Sequence, residues 1–300
     1  MLKYIKKIGK NIQNLYFKKM KKIFIIFIAL LISLNTAVAN EKFEFRYNIH
    51  ENLPKKWVTE FKNIMDVLQE VLPIQNNMND YLKSPGMDIY AWKSTKNPFP
   101  EVKNNMQGSC ICGDGSTRWM QIEIPSKELA KKYIHRYSVI AHEYFHVYQM
   151  SLNESMRNND FNIMWLVEGA AASFESIYIQ DFYDYNYFID AQNNISDQVY
   201  SSPNLFENYN TMDVNYSSAV FMTLVLVKEL VDLGHSEEDA FKMIFQDFMM
   251  LSPSNQNWEL IFEEKFDISV TSFYEILQSY PLDISQVLPS QSLSIEQVFD

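Results

Sequence analysis

AHEYFHVYQ, residues 141–149, holds two of the chain's five histidines, four positions apart, with a glutamate beside the first. Four residues of α-helix turn through about 400° and rise about one pitch, so both imidazoles leave on one face. One ion can then take a ring nitrogen from each. Glu143 points about 100° away from His142, outside that inner shell but within reach of a water held there. This is H-E-x-x-H with its chemistry: two imidazole ligands and a carboxylate general base. The neighbours Val139, Ile140, Phe145 and Val147 are apolar, so the helix is expected to be buried. Two imidazoles and a carboxylate buried without partners would cost several kcal/mol in total, and a metal ion offsets that. The competing reading is a pair of core histidines satisfied by backbone carbonyls, with Glu143 exposed.

A catalytic zinc usually takes three protein ligands and keeps one position open. MWLVEGAAASFES (164–176) offers the third ligand, Glu168. Trp165, Leu166, Val167 and three alanines flank it, and a lone carboxylate there is costly without a cationic partner. Gly169 and the alanines allow another helix to pack close by. An exposed glutamate on an amphipathic face fits poorly, because residues 163–172 are otherwise apolar. No third histidine follows at short spacing, which favours a carboxylate.

HEYFH followed by WLVEGAA resembles the gluzincin metallopeptidases, and most of all their compact, secreted, peptidase-MA-like members. The resemblance implies a zincin-like α+β fold, mostly helical. It implies one zinc ion per chain on His142, His146 and Glu168, with Glu143 as the catalytic base. It extends over roughly residues 117–280, where NYSSAVFMTLVLVKELVDLG (215–234) and WELIFEEKFDISVTSFYEIL (258–277) are similar to the family's later helices. On that match Tyr216 is the expected oxyanion donor, with His235 as a second candidate. His135, about 10 Å along the axis from His142, is too far to be a ligand. The strand TRWMQIEIP (117–125) resembles the edge strand on which gluzincins hold an extended peptide, by strand addition. The loop 104–116 is then either a lip of the cleft or a surface loop. Two departures stand out. The acid expected one turn after the third ligand is Ala172 here, leaving Glu175 or Ser173 to orient a histidine. The G-x-M-E-N element of the aminopeptidase branch is absent, so recognition of a free amino terminus is not supported.

Ahead of this region the first 39 residues carry eight lysines and no acid. KKMKK (18–22), the apolar run IFIIFIALLISL (23–34) and Ala37-Val38-Ala39 read as a secretory signal peptide cleaved after Ala39. The apolar run is short against the roughly 20 residues of a spanning helix. An uncleaved anchor is the alternative, and a start at Met20 makes Met1–Lys19 a mis-called extension. The mature protein is expected outside the cytoplasm, secreted or periplasmic, with no stable membrane insertion after cleavage. Losing eight lysines from a net charge of −11 leaves −19, a surface that repels nucleic acid and anionic lipid. The two cysteines, Cys110 and Cys112, form a C-x-C pair that closes a local disulfide, stays free or binds a second metal.

The remaining pattern is α+β. KFEFRYNI is extended. Residues 54–73 read as an amphipathic helix between two prolines, and 87–93 and 117–125 alternate like strands. Helices are expected at 126–150 with Ser126 as N-cap, then at 161–182, 215–233, 236–250, 256–266 and 270–279, with an irregular stretch at 183–214. The regions are a signal peptide (1–39), an N-terminal helix and strand region (40–116), a zincin-like catalytic region (117–280) and a polar tail (281–300) that is expected to be loosely held. The function implied is hydrolysis of peptide bonds in a peptide or protein substrate, through a zinc-activated water and a glutamate base. The alternatives are a zinc hydrolase acting on a non-peptide amide, a secreted binding protein with a structural zinc, and an envelope structural protein with a chance motif.

Overall fold

Alternate residues of Met87–Lys93 and Trp119–Ile124 are apolar and fully buried, and that alternation builds the sheet. Met87, Ile89 and Ala91 share a face with Met120, Ile122 and Ile124, all with exposures of 0–1%. The computed structural model describes residues 42–300 apart from 95, 101, 103–107 and 209–211. The expected signal segment and residues 104–107 of the expected lip lie outside the described residues.

Four strands, β1 (Phe45–Ile49), β2 (Met87–Lys93), β3 (Cys110–Cys112) and β4 (Trp119–Ile124), form one sheet in the order β1-β2-β4-β3. β1, β2 and β4 are parallel, while β3 runs antiparallel to β4, with Ile111 opposite Met120. This corrects the expectation that 117–125 is the edge. β4 is interior, and the edge beside it is β3, three residues inside what read as a loop.

Between β1 and β2 lies helix α1 (Lys55–Val71), which buries Trp57, Phe61, Ile64, Met65 and Leu68 on one side. After it comes the short α2 (Asn77–Tyr81). The outer face of the sheet is covered by the chain after β2. There Phe99 packs edge-on against Tyr90 and Trp92, and Glu123 accepts hydrogen bonds from Ser94 Oγ (2.6 Å) and Gly108 N–H (3.2 Å).

The helix expected over 126–150 is two helices, α3 (Ser126–Lys131) and α4 (His135–Leu152). Pro125, not Ser126, holds the N-cap position, and Lys132 adopts a left-handed conformation (φ 57°) that ends α3. α3 buries none of its residues, so no packing holds it in line with α4. α4, by contrast, is buried without interruption from Tyr137 to Leu152, and Trp57 Nε1 donates to the Arg136 carbonyl at its first turn (3.0 Å).

After α5 (Glu154–Arg157) comes α6 (Met164–Tyr183), buried from Met164 to Gln180. Between them, α7 (Tyr187–Ala191), α8 (Gln198–Ser201) and a 3-10 turn (Pro203–Glu207) fill much of the stretch that read as irregular. Then α9 (Met212–Asp232) packs along α6, which also packs on α4. Gly169 is the point of closest approach: a Cβ built on it would lie 2.5 Å from Ala219 O and 2.7 Å from Thr223 Oγ1. Alanine favours a helix by about 1 kcal/mol over glycine, but here its methyl group meets backbone that cannot swing away. Gly169→Ala is expected to lower stability by roughly 1–3 kcal/mol, read as a lower urea midpoint.

The chain continues through α10 (Glu237–Lys242), a π-helical turn (Met243–Asp247), α11 (Phe248–Met250), α12 (Trp258–Phe266) and α13 (Val270–Ile276). The tail is not loose. Ile284, Val287, Leu293, Ile295 and Val298 are buried, and α14 (Ile295–Phe299) opens with a Ser294–Gln297 capping box. The Phe299 ring packs near Tyr148, Phe174 and Phe245, with centroids 5.8–6.3 Å apart. Residues 43–300 form one compact unit, and no helix among the described residues is long and apolar enough to cross a membrane.

Candidate metal centre

One turn of α4 carries His142 and His146, and α6 crosses it with Glu168 turned inward. The two Nε2 atoms are 3.0 Å apart, and Glu168 Oε2 lies 3.1 Å from the first and 3.2 Å from the second. Three donor atoms therefore converge on one point, and the buried His142–His146–Glu168 group could hold a metal ion. All three side chains keep about a tenth of their surface exposed, enough for the point of convergence to reach solvent.

The far side of each imidazole is anchored. His146 Nδ1 sits 2.8 Å from Gln149 Oε1, and Gln149 in turn donates through Nε2 to the Val167 carbonyl (3.1 Å), tying α4 to α6 beside Glu168. His142 Nδ1 faces Glu175 Oε2 at 3.7 Å, an ion-pair distance rather than a hydrogen bond. The Nδ1 of His146 is thus tied to Gln149 and that of His142 lies beside an acid, so both rings turn Nε2 toward the common point. Of the two residues expected to stand in for an acid at Ala172, Glu175 is the one that lies beside His142, while Ser173 Oγ is buried with no partner among the described residues. Glu175→Gln is expected to weaken metal affinity about 10–100-fold without emptying the site, and Ser173→Ala to leave it unchanged. Competition with a calibrated chelator reads both.

Charge is concentrated here. Burial would raise Glu168, but the charge of His146 and hydrogen bonds from both imidazoles hold it well below the usual carboxylate range. Burial opposes a proton on His146, yet Glu168 beside it carries that imidazole up to about 9. Glu143 is pushed up to about 7 by burial, against the pull of the two histidines. Three buried carboxylates, Glu143, Glu168 and Glu175, lie beside two imidazoles, a set of donor groups that suits a cation.

No family model, curated protein or solved structure matches this chain.

Two cavities, of about 470 and 420 Å³, meet at this cluster, and His142, Glu143, Tyr216 and Ser109 line both. Glu143 is buried but opens into each. Tyr216, near the start of α9, has its ring centroid 6.0 Å from that of His142. Burial raises its hydroxyl first, and the neighbouring Glu168 and Glu143 carboxylates raise it further. A phenol so held stays protonated and keeps an O–H to donate. His235 is not brought here: it lines a separate pocket with Asp239, Lys242 and Asp247. His135 pairs with Glu128 Oε2 (2.9 Å) and lines only the smaller cavity. Gln149 escaped the sequence reading, although its position three residues after His146 on the same helical face was the available signal. Of the expected lip, Gly108 to Ile111 line the cavities.

Proposed function

We propose that the protein is an exported zinc metallopeptidase of gluzincin type that cuts internal peptide bonds. The observation that carries this reading is the convergence of His142 Nε2, His146 Nε2 and Glu168 Oε2 with the Glu143 carboxylate opening into the same cleft. Two zinc bonds of about 2.0–2.1 Å at a tetrahedral angle span roughly 3.3 Å between donor atoms. The donor separations of 3.0–3.2 Å are close to that, and two imidazoles with one carboxylate suit zinc. A small sheet with an antiparallel edge strand, an H-E-x-x-H helix and a second helix bringing the glutamate are the parts a zincin-like fold requires. The composition of residues 1–39 supports export.

Zinc held by His142, His146 and Glu168 would supply Lewis acidity and lower the pKa of water at the open position. Glu143 is placed to take the proton of an attacking water and hand it to the leaving amine. Tyr216, which lines the same two cavities, would donate to the developing oxyanion. β3, the last strand of the sheet, lines the cleft through Cys110 and Ile111. Because the cleft continues on both sides of Glu143, a chain can pass through it, which supports internal cleavage over trimming of an end. The test is digestion of an unfolded protein by the zinc-loaded enzyme. Fragments are expected with zinc, none after chelation, and fragments again on zinc return. A fully zinc-loaded protein that cuts no unfolded chain overturns the reading.

A further inference from the structure

Residues 126–136, SKELAKKYIHR, carry four cations and one acid on a chain whose net charge is −11. Glu128, the one acid, is paired with His135 (2.9 Å), which leaves Lys127, Lys131, Lys132 and Arg136 uncompensated within the stretch. α3, which holds the first two of them, buries none of its residues. Core packing does not account for that charge.

A groove of about 460 Å³ opens between α3, the first turns of α1 and α4, and the last turn of α6. Among the residues that line it, Trp57 and Tyr137 are buried, and Leu129, Ile134 and Tyr183 are half-buried. Contacts between these elements fix its shape. Trp57 Nε1 donates to the Arg136 carbonyl (3.0 Å), and Tyr137 stacks on Tyr183 with centroids 5.6 Å apart. The Tyr183 hydroxyl donates to Glu60 Oε1 (2.6 Å), which occupies the one acid among the lining residues. Three cations, Lys56, Lys132 and Arg136, line the same groove. The two lysines are exposed and form no ion pair among the described residues. The Arg136 guanidinium lies over the Tyr137 ring, 4.3 Å from its centroid, and donates from Nη1 to the Tyr133 carbonyl (2.5 Å). Those contacts hold it in place and leave further N–H groups for an acceptor.

We propose that this groove docks an acidic peptide segment of a partner protein, one that carries an aromatic or aliphatic side chain among its carboxylates. The cations of α1 and of the α3–α4 junction take the carboxylates, and the half-buried apolar residues take the side chain between them. Charge complementarity selects an anion here, because the chain as a whole is acidic and repels one elsewhere. Shape selects a segment over a flat anionic bilayer, which would bring the acidic remainder of the surface against lipid headgroups. No residue that lines this groove lines either cavity at Glu143, so the proposal stands without the peptidase reading.

Binding is measured by fluorescence anisotropy on the Glu143→Gln protein, so that a bound peptide is not cut, with labelled, blocked heptapeptides. The first has a central Phe between acidic residues, the second has those acids replaced by Asn and Gln, and the third has the Phe replaced by Ala. The first is expected to bind at least about tenfold tighter than the second and about threefold tighter than the third. High salt is expected to remove the gap between the first and the second. Lys56→Glu combined with Lys132→Glu, both on exposed side chains, is expected to weaken the acidic peptide about tenfold and to leave zinc content unchanged. Lys56→Arg combined with Lys132→Arg is expected to keep it bound. Acidic and neutral peptides that bind alike, or binding unmoved by the double charge reversal, overturn the proposal. Each other occupant overturns it too: inorganic phosphate that displaces the peptide at equal concentration, phosphatidylglycerol vesicles that bind through the two lysines while the peptides do not, or a dimer in sedimentation that the charge reversal dissociates.

Discussion

Replacing Glu168 by glutamine is expected to leave a folded protein that does not retain the zinc proposed for this site. The side chain keeps its length, and its amide oxygen can still accept a hydrogen bond from either imidazole, so the crossing of α4 and α6 survives. What it loses is the negative charge, which His142 and His146 now hold at 3.1 and 3.2 Å. Removing one partner of a buried charged set costs roughly 3–5 kcal/mol, which is about two to three and a half decades in an equilibrium constant. Zinc content after dialysis is expected to fall from about one per chain to a small fraction, with an unchanged far-ultraviolet spectrum. The reading of His142 and His146 as core histidines makes a different forecast. On that reading the wild type holds no zinc either, and the substitution shows only as lost stability. A variant that kept a full equivalent of zinc would remove Glu168 from the ligand set.

The convergence of these three groups was legible because each motif imposes its own local geometry. Spacing of four on a helix puts His142 and His146 on one face whatever surrounds them, and a carboxylate amid WLV and AAA must meet something polar. The strands β2 and β4 were legible for the same reason, through strict alternation. What was not legible depends on contacts distant in sequence. Cys110–Cys112 is a strand only because β4 pairs with it, and three residues among glycines and asparagines carry no periodicity of their own. The break at Lys132 has no glycine or proline to announce it. It exists because α3 buries nothing while α4 must enter the core. The tail read as loose since its apolar residues are scattered among polar ones. Yet each of Ile284, Val287, Leu293, Ile295 and Val298 finds a place in the core, and Asp181 Oδ2 accepts from Ile295 N–H at 3.1 Å to fix the last helix. Glu175 could be listed as a candidate to support His142, but only the crossing angle of α4 and α6 makes an acid seven residues after Glu168 reach that ring where the residue at four does not.

Glu143→Gln separates holding the ion from using it. Glu143 is absent from the converging donor set, and its carboxylate opens into the cleft on both sides of that set. Zinc content is therefore expected to stay at the wild-type level. Turnover is expected to fall by about 10²–10⁴, the usual contribution of a positioned general base, or further if the same group also delivers the proton to the leaving amine. Glutamine fills the same volume and can still hydrogen-bond a water, so substrate binding is expected to change little. The loss then belongs in kcat, with KM nearly constant, which is the mark of an interaction made only in the transition state. Coupled zinc analysis and steady-state kinetics on one preparation read both quantities. Zinc lost together with activity would place Glu143 among the ligands, and turnover kept with zinc would remove it from the chemistry. A carboxylate buried enough to be pushed up to about 7, and costly to keep there for packing alone, makes the third outcome the expected one: the ion stays and the reaction stops.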